Sequence, residues 1–327
     1  MEDLVDVLVA TYNTDATYLK KQIQSILKQT YKNLHIYISD DCSTKPEIKE
    51  ILKEFAQKDK RIKLFLQSQN LGYNKNFEFL LNQSTAEYIT FSDHDDIWYL
   101  DKIEKSLQKL KNEKVDMVYC NCRQINEKGI VLKENYFKYK NIPLINKTGK
   151  LAISRCAGNG CSQMITKDVK QKMLPFKEQV IAHDWLAGFI ANEGKGIAYI
   201  KEPLFDYRLH NTNVFGGRNL SQNLNRWKEK NGKTYKAFLE YRKDAIQKAY
   251  ESGIKMCLEY SAKKENQDFC KEAEKYYEKI YKTKIINLTN IKEYFKILNG
   301  KNVGKKKIRE IALFHFPLIA YFKFIIT

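Results

Sequence analysis

The chain of 327 residues is 43% hydrophobic and 13% aromatic, and it contains only 14 Gly and 5 Pro. This composition excludes a disordered or low-complexity chain, and the length suffices for one large domain with an appendage. The net charge of +18, from 57 Lys and Arg against 39 Asp and Glu, predicts an acidic partner: nucleic acid, an anionic lipid surface or a phosphorylated small molecule.

Short apolar strands alternate with amphipathic helices over residues 1–120. The predicted strands are residues 5–10, 34–38, 62–66, 88–91 and 115–119. Helical spacing groups Leu19, Ile23, Ile26 and Leu27 in one helix and Ile48, Ile51, Leu52 and Phe55 in the next, with further helices around residues 77–81 and 99–111. This order predicts an α/β fold with a mixed, mostly parallel sheet flanked by helices.

The chain is less regular after residue 120. A Gly-containing turn at residues 158–162 leads into a predicted strand, residues 183–185 open an apolar helix, and residues 196–200 form a further strand. Beyond Gly216 and Gly217 the sequence becomes lysine-rich and amphipathic. We therefore predict a catalytic domain of residues 1–215 and a C-terminal α-helical extension of residues 216–327.

Residues 305–307 are three lysines, and an aromatic, apolar segment follows them within residues 305–327. The apolar run falls short of the ~20 residues that span a bilayer, and Pro317 and Lys323 interrupt it. A basic run beside such a segment is typical of peptides that lie in the headgroup region of an anionic membrane. A terminal helix packed on the protein's own core is the alternative.

The seven cysteines are unevenly spread, and none forms a CxxC pair. This pattern favours buried, reduced thiols over disulfides or a metal site. The first residues also lack the basic segment and apolar run of a secretory signal. Together these features predict a reducing, cytoplasmic compartment.

Polar loops follow three of the predicted strands, at residues 11–13, 40–41 and 93–96. Ligands of parallel α/β sheets bind beyond the carboxyl ends of the strands, so we expect these loops to meet at one rim. The sequence contains neither a GxGxxG nor a GxxxxGK[ST] motif. It therefore supports neither a dinucleotide fingerprint nor a P-loop.

Three carboxylates and an imidazole fall within residues 93–96. So much negative charge at the end of a strand is costly unless a cation neutralises it, and oxygen ligands suit Mg²⁺ or Mn²⁺. An acidic loop that caps the following helix, with Asp96 as the N-cap, is an equally simple explanation.

Four stretches in this order resemble the family 2 glycosyltransferases of the GT-A (Rossmann-like) fold, especially bacterial enzymes that build surface polysaccharides. They are residues 7–13 with 25–31 behind them, residues 39–43, residues 92–98, and the pair 183–185 and 207–210. The resemblance covers residues 1 to about 215. It implies an inverting, metal-dependent transfer of a hexose or deoxyhexose from a UDP- or dTDP-sugar to a growing cell-surface glycan. Residues 92–98 and 207–210 most resemble bacterial rhamnosyltransferases.

The resemblance implies that the first two loops bind the nucleotide. Thr11, Tyr12 and Asn13 would line the pocket, and Asp41 would accept the N3–H of uracil or thymine. Asp40 would shape the turn. A helix N-cap is the alternative role for either aspartate.

The resemblance further implies that Asp93 and Asp95 form the DxD motif, with Asp95 and His210 as ligands of Mn²⁺ or Mg²⁺. Arg208 would face the diphosphate. His94 departs from the amide that is common in the family, and its role in donor binding stays open.

Asp184 resembles the general base of the family, although an N-cap of its own helix is the alternative. Trp98 and Trp185 would contact a sugar ring, or belong to the core. The acceptor is expected to be a lipid-linked glycan, which places the enzyme at the inner face of the cell membrane.

Two other functions are compatible with parts of the sequence. The charge alone suggests a nucleic-acid-binding protein, but the predicted rim loops are acidic, so we expect no nucleic acid. A catalytically silent family member that binds nucleotide as a scaffold is the second, and the presence of Asp95, Asp184 and His210 argues against it.

Overall fold

The computed structural model describes residues 2–137, 158–178, 180, 182–210, 234, 236–237, 239–241, 243–244 and 254–282. The chain divides into two compact units, Met1–Thr148 with Cys156–Asn211 and Gly149–Arg155 with Thr212–Thr327. The catalytic domain of residues 1–215 and the helical extension of residues 216–327 stay predictions.

The described part of the first unit contains a single sheet of nine strands. They are β1 (Val5–Thr11), β2 (Leu34–Asp40), β3 (Ile62–Leu66), β4 (Tyr88–Ser92), β5 (Ile97–Trp98), β6 (Met117–Ile125), β7 (Val131–Lys133), β8 (Gln163–Thr166) and β9 (Ile197–Arg208). The strand order is β3-β2-β1-β4-β8-β6-β9-β5, and β7 pairs with β6. Strands β1 to β4 are parallel to one another, and β6 is parallel to β9. Strand β8 runs antiparallel to β4 and β6, as do β5 to β9 and β7 to β6. The predicted mixed, mostly parallel sheet is confirmed.

Six helices of the first unit are described, and two of the second. The first six are α1 (Ala16–Leu27), α2 (Pro46–Lys58), α3 (Tyr73–Gln83), α4 (Lys102–Glu113), α5 (Lys167–Met173) and α6 (His183–Glu193), with a 3₁₀ turn at Gly160–Ser162. The second unit contributes α7 (Met256–Tyr260) and α8 (Lys264–Lys282). Among the described residues, none of the helices has the length and apolarity needed to cross a bilayer. Residues 305–327, the predicted membrane segment, lie outside the described residues.

Helix α1 shows how the local sequence sets these elements. The carboxylate of Asp15 accepts the main-chain N–H groups of Thr17 and Tyr18, which satisfies two donors that the first turn leaves free. The predicted apolar face is buried, with Leu19, Ile23 and Ile26 fully covered. Each such side chain contributes about 1.5–3 kcal/mol to folding. The face of α2 is buried at Ile48, Ile51 and Leu52, also as predicted.

The helix that follows the acidic loop does not begin at Asp96, which was the alternative explanation of this loop. Helix α4 begins at Lys102 after the N-cap residue Asp101, and the short strand β5 lies between Asp96 and this helix. Asp96 is therefore not a helix N-cap. Because β1, β2 and β4 are parallel neighbours, the loops that follow them emerge at one edge of the sheet.

Candidate functional site

Hydrogen bonds join the loops after β1 and β2. Thr11 Oγ1 donates to Asp40 Oδ1 at 3.0 Å, and Ser43 donates to the same carboxylate through both its hydroxyl and its main-chain N–H. All three side chains are buried. Asp40 therefore shapes the turn, as predicted, and the nucleotide contact of Thr11 stays a prediction.

Asn13 ties the same two loops together further out. Its side-chain oxygen accepts the main-chain N–H of Thr44 at 2.8 Å, and its own N–H donates to Ser43 Oγ at 2.8 Å. These contacts hold Asn13 at a φ of 44°, a left-handed conformation that asparagine tolerates. Tyr12 is held between these fixed residues with 44% of its surface exposed. Its ring is thus available for contact with a planar base.

Asp41 lies at the carboxyl end of β2 and is only 3% exposed. Its two carboxylate oxygens accept the main-chain N–H groups of Leu71 and Gly72 at 2.7 and 2.9 Å. Each oxygen keeps a further lone pair, so Asp41 can still accept an additional N–H. The carboxylate thereby positions the segment that leads into α3, a contribution that the sequence did not indicate.

Asp95 and His210 lie together, although 115 positions separate them. His210 Nε2 is 2.7 Å from Asp95 Oδ2. His94 approaches the same oxygen with its Nε2 at 4.0 Å, while its Nδ1 lies 3.2 Å from the carbonyl oxygen of Ala10. A hydrogen bond to a carbonyl oxygen requires a proton on Nδ1, and Nε2 faces the carboxylate of Asp95. His94 thus links the end of β1 to the acidic loop.

The carboxylates of this loop have divergent pKa values. Burial, together with the charges of Asp95 and Asp184, raises the pKa of Asp93 to about 7. Burial raises the pKa of Asp96 well above its usual range, and Asp95 and Asp93 add to the shift. Burial alone would raise the pKa of Asp95 too, but the adjacent imidazoles of His94 and His210 bring it below its usual value. A bound cation would offset the negative charge that raises the pKa values of Asp93 and Asp96, so the loop favours cation binding.

The acidic loop and its neighbours carry side chains of the types that ligate a divalent cation. Asp95 and His210 offer an oxygen and a nitrogen ligand side by side. A second group, Asp93, Asp96 and Cys161, has its ligand atoms within 4.8 Å of one another. Carboxylate oxygens suit Mg²⁺ and Mn²⁺ alike, whereas an imidazole ligand is less suited to Mg²⁺, which prefers all-oxygen coordination. The donor set fits a divalent cation, and fits Mn²⁺ better than Mg²⁺.

Arg208 lies against the main chain of the acidic loop. Its side chain is 1% exposed, and its guanidinium donates to the carbonyl oxygens of Asp95, Asn126 and Glu127 at 2.9 to 3.3 Å. Its main-chain N–H also donates to Asp96 Oδ1 at 3.1 Å. Arg208 therefore fixes the acidic loop, and its contact with a diphosphate stays a prediction.

Tyr18 is a site neighbour that sequence reasoning missed. Its ring lies 4.4 Å from the guanidinium carbon of Arg208 and 5.8 Å, centroid to centroid, from the ring of His210. Such a contact with a buried cation adds about 0.5–2 kcal/mol. The sequence around Tyr18 does not indicate this position, because its partners Arg208 and His210 lie at the end of β9 and two residues beyond it.

Asp184 lies in the first turn of α6, whose N-cap is Ala182. The alternative role of Asp184 as the N-cap is therefore excluded. Its Oδ1 lies 2.8 Å from the main-chain nitrogen of Trp185, and its carbonyl oxygen accepts Gln163 Nε2 at 3.0 Å. The side chain is half-buried and close enough to raise the pKa of Asp93. The structure thus brings Asp184 to the acidic loop.

The segment before Asp184 is held by Asn74, which the sequence analysis did not identify. Asn74 accepts the N–H of His183 at 3.1 Å and donates to the carbonyl oxygen of Val180 at 2.9 Å. Tyr73 lies next to it, and burial together with Asp184 and Asp93 raises the pKa of its hydroxyl. Both residues follow β3 in the chain, so the carboxyl-end rule that selected the other loops would also have selected this one.

The two tryptophans differ in their surroundings. Trp98 is 3% exposed, and Lys102 Nζ lies 3.8 Å from the centroid of its ring. Trp98 therefore occupies a core position, which was the alternative to the predicted sugar contact. Trp185 is half-buried beside Asp184, so its sugar contact stays a prediction.

The comparisons with known proteins agree with this geometry. The family model described as glycosyl transferase family 2 matches residues 6–170. An uncharacterized glycosyltransferase of Methanocaldococcus jannaschii is 32% identical over 228 residues, covering 68% of this chain and 76% of that protein. The dTDP-rhamnosyl transferase RfbG of Shigella flexneri is 30% identical over 64% of this chain and 73% of its own length. The O-antigen biosynthesis glycosyltransferase WbnJ of Escherichia coli is 30% identical over 64% and 81%.

Among solved structures, TarS of S. aureus in complex with UDP-GlcNAc superposes with a TM-score of 0.56 at 14% identity, covering 98% of this chain and 81% of that chain. TarS in complex with UDP gives a TM-score of 0.51 over 94% and 77%. At this identity the likeness concerns the fold alone, and it confirms the predicted fold class.

Proposed function

This chain belongs to glycosyl transferase family 2, and from that premise we propose that it is an inverting, metal-dependent enzyme. It transfers one hexose or deoxyhexose from a UDP- or dTDP-sugar to a growing cell-surface glycan. The observation that carries the proposal is the position of Asp184: a half-buried carboxylate beside the acidic loop of residues 93–96.

The nucleotide is held by the loops after β1 and β2. Tyr12 packs against the base, and Asp41 accepts its N3–H with a lone pair that Leu71 and Gly72 leave free. Uracil and thymine both carry this N–H, whereas cytosine lacks it, so Asp41 selects the two imide bases without distinguishing them. Relatives and structural neighbours named for dTDP-rhamnose, UDP and UDP-GlcNAc support this donor class.

The metal is held by Asp95 and His210, with His94 directed at the same carboxylate. When bound, a divalent cation offsets the charge that develops on the departing nucleoside diphosphate. Arg208 contributes by fixing the main chain of the loop that carries Asp95.

Asp184 acts as the general base. A carboxylate that accepts the proton of the acceptor hydroxyl activates this oxygen for attack on the anomeric carbon, opposite the leaving group, which inverts the configuration. The main chain of Asp184 is fixed by Gln163, and its side chain lies next to Trp185, which we propose as a contact of the acceptor sugar.

The acceptor is a lipid-linked glycan, and the basic, aromatic residues 305–327 bind the anionic inner face of the cell membrane. Homologues that act in O-antigen synthesis support this assignment. Removal of residues 305–327 is expected to abolish binding to vesicles that contain anionic lipid. Unaltered binding would contradict this part of the proposal.

The experiment that tests the function is a donor screen. Purified protein is incubated with UDP- and dTDP-sugars and Mn²⁺, and both nucleotide binding and release of the nucleoside diphosphate are measured. We expect binding of UDP or dTDP and release that depends on the metal. No nucleotide binding in any condition would reject the transferase assignment.

A further inference from the structure

The imidazole of His183 is an unusual occupant of its pocket. The side chain is 5% exposed, and neither ring nitrogen has a hydrogen-bond partner among the described residues. The ring of Phe77 stacks on it at 3.9 Å, and Phe91 meets it edge-on at 4.8 Å, both between centroids. An apolar ring would occupy this aromatic pocket without the cost of two unpaired buried polar atoms. A histidine at this position therefore lowers the free energy of unfolding relative to an apolar ring.

Gly160 lies against this imidazole. A Cβ atom added to Gly160 would lie 2.8 Å from His183 Nε2 and 3.5 Å from Asp184 Cβ. One atom added at residue 160 thus meets both side chains, and the imidazole must move to make room for it.

The main chain around His183 is fixed as well. Asn74 accepts its N–H at 3.1 Å, and Gln163 donates to the carbonyl of Asp184 at 3.0 Å. These bonds hold the start of α6 against α3 and β8. The His183 ring and the Cβ of Asp184 face the same side of Gly160.

We propose that His183 is a positioning residue that fixes Asp184 through its contact with Gly160. This inference rests on the proposed function, in which Asp184 is the general base. A base must lie within hydrogen-bond reach of the proton that it takes, and a displacement of about 1 Å lowers the rate by up to about 100-fold. Donor binding uses other residues, so a displaced Asp184 lowers kcat and leaves the KM for the donor unchanged.

A double-mutant cycle on kcat tests this contact. We expect Gly160→Ala to lower kcat by about 10- to 100-fold, because the new methyl group displaces the ring and Asp184. His183→Ala is also expected to lower kcat, but in this background Gly160→Ala should cost little more, since the atom that it meets is gone. Phe189→Leu, a change at another fully buried aromatic residue of α6, is the matched control. Phe189→Leu should lower the free energy of unfolding. In the Phe189→Leu background, Gly160→Ala should lower kcat as much as it does in the wild type.

The possible results separate the inference from the function. An equal effect of Gly160→Ala with and without the His183 ring would overturn the positioning role and leave the transferase assignment intact. A wild-type protein that transfers sugar from no UDP- or dTDP-donor would reject both. Circular dichroism verifies the fold of each variant, and His183→Asn replaces His183→Ala in the cycle if the latter does not fold.

Discussion

His210 Nε2 lies 2.7 Å from Asp95 Oδ2, which joins the second residue after β9 to the loop after β4 across 115 positions of the chain. Each group is held in place by others: Arg208 fixes the carbonyl of Asp95, and Tyr18 packs beside His210. We propose that these two side chains, held next to each other in this way, are ligands of the divalent cation.

The first prediction concerns this pair. Asp95→Asn and His210→Ala should each weaken Mn²⁺ binding by about 100-fold or more, because even partners of metal ligands cost 10- to 100-fold when removed. The measurement is a Mn²⁺ titration by calorimetry. Asp59→Asn, which breaks an ion pair with Arg61 outside the site, is the control and should bind Mn²⁺ like the wild type. Unchanged Mn²⁺ affinity in both site variants would argue against the pair as ligands.

The second prediction concerns the base. Asp41→Asn should reduce affinity for UDP by roughly 10- to 100-fold, since hydrogen bonds to charged groups contribute about 1.5–3 kcal/mol. It should also remove the preference for UDP over CDP, which lacks the N3–H. Asp40→Asn, whose carboxylate is occupied by Thr11 and Ser43, should instead lower stability and keep the UDP-to-CDP ratio. A ratio that survives Asp41→Asn would show that the base is recognised elsewhere.

The third prediction separates the two tryptophans. Trp98→Phe should lower the free energy of unfolding by about 1–2 kcal/mol, part of the 3–5 kcal/mol that complete truncation costs, and leave both KM values unchanged. Trp185→Phe should leave stability almost unchanged and raise the KM for the acceptor. Urea unfolding and steady-state kinetics measure these quantities. A raised acceptor KM for Trp98→Phe would show that Trp98 contacts the sugar and would contradict its assignment to the core.

The fourth prediction concerns the pH dependence of stability. Burial lowers the pKa of His183 to about 3 in the folded chain, from about 6.5 when unfolded. Between these values only the unfolded chain binds the proton, so the contribution of His183 is complete above pH ~6.5 and is lost on acidification by up to about 1.4 kcal/mol per pH unit.

The comparison of wild type with His183→Phe isolates this effect. Asp93, whose pKa is raised to about 7, acts in the opposite direction, because the folded chain then binds the extra proton and stability falls as the pH rises. The difference in unfolding free energy between wild type and variant removes this contribution. We expect the difference to change between pH 4 and 6.5 and to be constant above. A constant difference over the whole range would mean that His183 is accessible to protons in the folded protein.

Local sequence patterns predict the helices and strands that pack on their own neighbours. The spacing of Leu19, Ile23 and Ile26 alone defines the buried face of α1, and the apolar run from Val5 defines β1. The antiparallel insertion of β8 between β4 and β6 could not be predicted in this way, because strand pairing depends on residues far apart in the chain.

The same limit applies at the site. A tryptophan in a motif does not reveal its exposure, so the resemblance predicts a sugar contact for Trp98 although the fold buries this side chain. The position of Asn74 after β3 places it at the edge of the sheet where ligands bind, but no local pattern marks its contact with His183 across 109 residues. The pairing of Asp95 with His210 follows only from the family resemblance, not from spacing.

We propose Asp184 as the general base of a nucleotide-sugar transferase, and a comparison of wild type with Asp184→Asn tests this role. Initial rates of glycosyl transfer and donor dissociation constants are measured for wild type and Asp184→Asn at saturating Mn²⁺. We predict that kcat falls by about 10²- to 10⁴-fold in the variant while the donor dissociation constant stays within about twofold. Transfer by Asp184→Asn at the wild-type rate would contradict the account.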